Sequence, residues 1–221
     1  MRVLRFLRDT PCALLLLAQL LGVLAYPFME ETVAGQSSLA VFGILVLGLA
    51  VRAVRATPSL WWVAITLAAP ALCLLVAQVI TGDDSLAPYS AGFEALLYFY
   101  AAASMLRYML TDNRVTTDEL FAIGAVFTLL AWAFAYTFTV VQALQPGSFI
   151  AAIDPESNRS WTELLFLSFN TLSSTGLSDV VPIKGHARSV AMIEQLCGLF
   201  YIAMVVTRLV GLKTLRVKPK G

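Results

Sequence analysis

Charge is what this chain has least of. Only 13% of its residues are Asp, Glu, Lys or Arg, against 59% hydrophobic residues, and the mean hydropathy is +0.79. Soluble globular domains carry about 25% charged residues, so composition alone excludes that class. The few charges nearly cancel to a net +1. The basic ones gather at the ends of apolar runs rather than on one face, which leaves no case for nucleic acid as a partner. Histidine occurs once, as His186, which excludes a histidine-based metal cluster and argues against haem ligation. Cys12, Cys73 and Cys197 all fall inside apolar runs at no metal-ligand spacing and read as small buried residues. No nucleotide-binding loop or catalytic triad occurs, so neither an enzyme nor a resident cofactor is expected.

What the chain has in abundance is long apolar runs. A helix needs about 20 apolar residues to cross a bilayer, and six runs approach that length, at 11–29, 38–56, 59–80, 90–110, 118–143 and 187–211. The first follows three arginines, as a secretory leader would. No small-residue cleavage site comes promptly after it, and further spans follow, so it reads as a first transmembrane helix. The expected fold class is an all-α membrane protein with six spans.

Basic residues orient the spans. Arg2, Arg5, Arg8, Arg52, Arg55, Arg107, Arg114, Arg208, Lys213, Arg216, Lys218 and Lys220 all fall on one side when six spans are threaded through the membrane. Only Arg159, Lys184 and Arg188 fall on the other, together with Glu30, Glu31, Asp83 and Asp84. Both termini are therefore expected in the cytoplasm, in a multi-pass protein of the cell (inner) membrane. The fourth run contains one arginine, Arg107, where a voltage sensor needs a series. Glu94, about one turn inside that run, is expected to reach the outer headgroups. Trp61, Trp62 and Trp161 stand at the starts of apolar segments and read as interfacial anchors.

Between the fifth and sixth runs the pattern changes. "WTELLFLSFNTL" is apolar but only about a dozen residues long, too short to span and suited to a helix that dips in and returns. Ser160 before it and Glu163 three residues later form a capping-box pattern. The hydroxyl-rich stretch "TLSSTGLSD" follows, then a proline and the last run. Irregular backbone at membrane depth survives only where it is buried in protein or lines a water-filled cavity.

This order of span, short helix, "TLSSTGLSD" and final span resembles the pore-loop cation channels, above all the bacterial six-helix potassium-channel branch. Their filter is written T-x-T-T-V-G-Y-G-D. Laid over it without a gap stand Thr171, Leu172, Ser173, Ser174, Thr175, Gly176, Leu177, Ser178 and Asp179. The resemblance implies a homotetramer in the lipid bilayer whose selectivity filter runs over 173–179, lined by Ser174–Gly176. Ser174 would supply the inner hydroxyl ring, and Asp179 would stand at or behind the outer mouth. Trp161, Phe166, Leu167 and Asn170 would support the filter from the pore helix. Gly198 falls where the family's inner helix bends, and Glu194 is a candidate structural or gating carboxylate.

The resemblance also implies a division into a charge-poor, sensor-like four-helix domain (1–117), a pore domain (118–211) and a short basic tail (212–221), with no cytoplasmic ligand-binding domain after it. Leu177 stands in place of the family's tyrosine, Ser178 in place of its second glycine, and Phe166 and Leu167 in place of tryptophans. Monovalent cations are expected to permeate, potassium and also sodium, without strict potassium selectivity and without steep voltage gating. Ser178 in the glycine's place is expected to bear backbone strain. The competing expectation is a non-conducting assembly or sensory subunit on the same scaffold.

Overall fold

The computed structural model describes residues 10–30, 33–55, 57, 59–111 and 117–216. Arg2, Arg5, Arg8, Glu31, Arg114, Lys218 and Lys220, which enter the charge asymmetry, lie outside the described residues, as does the end of the expected tail.

Seven α-helices form among the described residues: α1 (Pro11–Glu30), α2 (Val33–Arg55), α3 (Trp61–Thr81), α4 (Ala87–Thr111), α5 (Thr117–Leu144), α6 (Trp161–Leu172) and α7 (Gly185–Arg216). Each of the six long apolar runs has become one helix. Trp61–Thr81, Asp118–Leu144 and Gly185–Val210 are long and apolar enough to cross a membrane, and Pro11–Ala25 is a shorter apolar stretch. Helices α2 and α4, of 23 and 25 residues, have the length, since a rise of about 1.5 Å per residue carries either across a hydrocarbon core of about 30 Å. The 12 residues of α6 reach only about 18 Å.

Helix α5 is the centre of the molecule, with α1, α4, α6 and α7 packed against it. More than half of its apolar window is buried (56%), against 11% for α3 and 22% for α7, so α3 and α7 keep most of their apolar surface free within one chain. The α4–α5 seam is aromatic. Tyr98 meets Trp132 edge-on at 6.0 Å and stacks on Tyr136 at 5.7 Å, while Phe99 meets Phe134 edge-on at 4.9 Å. Glu94 lies in this seam, 3% exposed and hydrogen-bonded to Tyr136. It does not reach the headgroups, because the tyrosine hydroxyl offers it a partner inside. Cys73 is another departure: Cys12 is buried and Cys197 half-buried, but Cys73 is exposed on the free face of α3.

At one end of the molecule three helices are tied together. The carboxylate of Asp118, in the first turn of α5, accepts the Cys12 N–H at the start of α1 at 3.1 Å. It satisfies an otherwise open donor and sits favourably on the positive end of the α1 dipole. Next to it, Glu119 pairs with Arg208 of α7 at 3.4 Å. At the opposite end, β1 (Phe149–Ile150) pairs antiparallel with β2 (Val181–Pro182), Phe149 opposite Pro182 and Ile150 opposite Val181. This short ribbon joins the segment leaving α5 to the segment entering α7, with α6 and the hydroxyl-rich stretch between them.

Candidate functional site

Helix α6 starts where the sequence places it. Ser160 Oγ accepts the Glu163 N–H at 3.3 Å, and Glu163 Oε2 accepts the Ser160 N–H at 2.7 Å, which completes the capping box. Arg159, just before it, is 5% exposed. Its guanidinium donates to Glu163 Oε1 at 3.1 Å, to the Ile153 carbonyl at 3.2 Å, and to Asp154 and Ser157. Gln142 of α5 then bonds both backbone groups of Arg159, at 2.9 and 2.8 Å. The 153–160 loop is thus folded around one cation and fixed to α5. Trp161 is half-buried and packs edge-on against Trp132 and tilted on Tyr136, each at 5.3 Å. Through these contacts it joins the aromatic seam of α5.

The hydroxyl-rich stretch folds back onto the end of α6. The Ser173 N–H donates to the Phe169 carbonyl, the Ser174 N–H to Thr171 and the Thr175 N–H to Asn170, each at 3.1 Å. The Leu177 N–H donates to Asn170 Oδ1 at 3.1 Å. Ser173 Oγ donates to the Phe169 carbonyl at 2.6 Å and lies 3.0 Å from the Thr175 hydroxyl. Both hydroxyls are therefore engaged against α6. The Ser174 hydroxyl has no hydrogen bond among the described residues, and neither do the carbonyls of Ser174, Thr175, Gly176 and Leu177.

Backbone angles account for this division. Ser174 (φ 58°) and Gly176 (φ 70°) are left-handed, and Thr175 between them is not. Alternating handedness turns successive N–H groups to one side and, by the same geometry, successive carbonyls to the other. Glycine adopts the left-handed form freely, whereas serine does so at about 1–2 kcal/mol. The strain expected at Ser178 is found at Ser174. Ser178 has no positive φ, and its hydroxyl accepts the Val180 N–H at 3.1 Å in a local turn.

A family model described as an ion channel matches residues 95–212, from the middle of α4 through α7. The chain belongs to this ion-channel family. It is accordingly a membrane channel protein and not an enzyme. No curated protein and no solved structure matches it.

In this channel, two contacts of α7 with α6 involve residues singled out in the sequence. The first is Gly198. A Cβ built there would lie 1.9 Å from the Leu172 carbonyl oxygen and 2.7 Å from its carbon, so only glycine admits the last turn of α6 this close. Helix α7 is helical on both sides of Gly198, and the feature that requires glycine there is this close approach. The second is Glu194, fully buried, whose carboxyl contacts the Ser168 hydroxyl of α6. Ser168 also lies 2.7 Å from the Ala131 carbonyl of α5, so one hydroxyl joins three helices. Further along α7, the Tyr201 hydroxyl donates to the Ile123 carbonyl of α5 at 2.5 Å.

Of the residues singled out in the sequence, the structure brings Asn170 together with Ser173, Thr175 and Leu177. It also brings Gly198 and Glu194 against α6. Leu167 is buried in the core, while Phe166 is 48% and Leu177 79% exposed. Asp179 is exposed and unpaired among the described residues. Ser168, Leu172, Gln142 and Arg159 were missed. Ser168 carried a signal, a polar residue on the apolar side of a short helix; the others become visible only through tertiary contacts.

Proposed function

We propose that the chain is the subunit of a homotetrameric channel for monovalent cations, potassium and sodium, with its filter at 173–179. The observation that carries this reading is the division of the hydroxyl-rich stretch into two sides. The N–H groups of Ser173, Ser174, Thr175 and Leu177 and two of the hydroxyls are consumed by α6, and among the described residues four consecutive carbonyls, those of Ser174 to Leu177, plus the Ser174 hydroxyl are left unclaimed. Rings of such oxygens, repeated around an axis, replace a cation's water shell. Helix α6 ends at these residues, and its C-terminal end adds roughly −0.5 of an elementary charge to the same region.

Assembly is supported by α7. Met192, Ile193, Leu196, Leu199, Phe200 and Val206 are each more than half exposed within one chain, an apolar surface suited to neighbouring copies and lipid. Six spans, cytoplasmic termini and entry of α6 from outside form the matching topology, carried by the charge asymmetry. Helix α4 carries Arg107 as its one basic residue, which supports a pore that is not steeply voltage-gated.

Purified protein in liposomes tests the reading. Potassium and sodium flux, with the protein tetrameric by mass photometry in nanodiscs, is the expected result. A tetramer without flux for either ion would favour the non-conducting subunit and overturn the channel reading.

A further inference from the structure

We propose that Asn170 is the positioning residue for the outer half of the filter, acting in place of the aromatic belt that Phe166, Leu167 and Leu177 do not supply. This deepens the channel reading and rests on it. Asn170 is 7% exposed, in the last turn of α6. Its Oδ1 accepts the Leu177 N–H at 3.1 Å and lies 3.1 Å from the Thr175 hydroxyl. Its Nδ2 donates to the Phe166 carbonyl at 2.7 Å, and its backbone carbonyl accepts the Thr175 N–H at 3.1 Å.

The amide can sit only one way round. Turned over, it would set its NH₂ against the Leu177 N–H and its oxygen against the Phe166 carbonyl, donor facing donor and acceptor facing acceptor. The bond to Phe166 therefore fixes Oδ1 towards the filter, and both of its lone pairs are used there. Asn170 is the α6 side chain that reaches the backbone of the stretch at Leu177.

Two consequences follow for permeation. Holding the Leu177 N–H from behind keeps the Gly176–Leu177 peptide oriented with its carbonyl on the opposite, unclaimed side. Holding the Thr175 hydroxyl keeps that oxygen out of the row of carbonyls, so the only hydroxyl left to ions is that of Ser174. Asn170 thereby determines both the shape of the outer sites and which oxygens line them.

The full-length protein in nanodiscs, followed by hydrogen–deuterium exchange at Leu177, tests this without requiring conduction. Asn170→Asp keeps an acceptor oxygen for the Leu177 N–H but loses the donor to the Phe166 carbonyl that orients it, and Asn170→Leu keeps only the bulk. Exchange of the Leu177 amide should speed up about tenfold in Asn170→Leu, the loss of one ordinary hydrogen bond, and by less than that in Asn170→Asp. Thr175→Val, which removes the other group on Asn170 Oδ1 but changes no residue of α6, should leave Leu177 protected. In bilayers, Asn170→Leu should shift the potassium–sodium reversal potential, and Asn170→Asp should restore it towards the parent. Unchanged Leu177 exchange in Asn170→Leu would overturn the proposal, as would equal acceleration in Thr175→Val. A parent that passes no cations would instead remove the channel reading, and the exchange rates would still decide the role of Asn170.

Discussion

Gly198→Ala separates two accounts of the same glycine by the sign of the effect. If Gly198 mattered only as a flexible point in α7, alanine would stiffen the helix and stabilise the protein by about 0.5–1 kcal/mol. The structure gives the opposite sign. The added carbon would stand 1.9 Å from the Leu172 oxygen and 3.0 Å from its Cα. Carbon and oxygen ordinarily approach no closer than about 3.3 Å, so α6 and α7 would have to separate by about 1.4 Å. The obstacle is backbone and cannot rotate away, which puts the cost at the upper end of the usual overpacking range of about 1–3 kcal/mol. Subtracting the gain in helix propensity leaves a loss of about 2 kcal/mol, or roughly 4–8 °C in Tm for a chain of this size. Thermal unfolding followed by tryptophan fluorescence in detergent measures it. Because Leu172 immediately precedes Ser173, flux should fall in the same variant. A Gly198→Ala protein as stable as the parent or more so would refute the steric argument.

Ser174→Gly removes a left-handed serine and should raise stability by about 1 kcal/mol while altering the potassium–sodium reversal potential, since it deletes the one unengaged hydroxyl. Lower stability would show that Ser174 is not strained. Ser168→Ala strands the buried Glu194 carboxyl and should cost about 1–3 kcal/mol. Adding Glu194→Leu should recover much of that loss, and a double variant no more stable than Ser168→Ala would show that the two side chains are not coupled. Arg107→Gln should leave the conductance–voltage curve unchanged, since each charge moved through the field is worth about 2.3 kcal/mol per 100 mV; a steep curve abolished by this change would make α4 a sensor. Asp83 is fully exposed, so Asp83→Cys on a cysteine-free background should react with an impermeant reagent from outside, and reaction only from the cytoplasm would invert the topology.

Helix positions and the start of α6 were legible in the sequence because their causes are local. Apolar run length sets a span, and a capping box needs only Ser160 and Glu163. The site was legible as a stretch but not in its wiring. Ser178 looked strained because a glycine was expected there, yet handedness is set by which amides reach the end of α6, and those are the amides of Ser174, Thr175 and Leu177. Arg159 counted as one more loop charge, whereas its guanidinium is the centre around which residues 153–157 fold. Glu94 and Trp161 show nothing in the sequence of their inner partners, because single residues carry no information about which tyrosine or tryptophan stands opposite. Tyr136 decides both.

The ties at the far end of the molecule have a mechanical meaning. Arg208 binds α7 to Glu119 of α5, Tyr201 binds α7 to Ile123 a turn further in, and Asp118 holds the first turn of α1. Helix α7 cannot shift against α5, nor α5 against α1, without breaking one of these contacts. Between these ties and the other end of α7 stands Gly198, packed on Leu172, so the same helix that is fastened to α5 also sets how closely the end of α6 and Ser173 after it can sit.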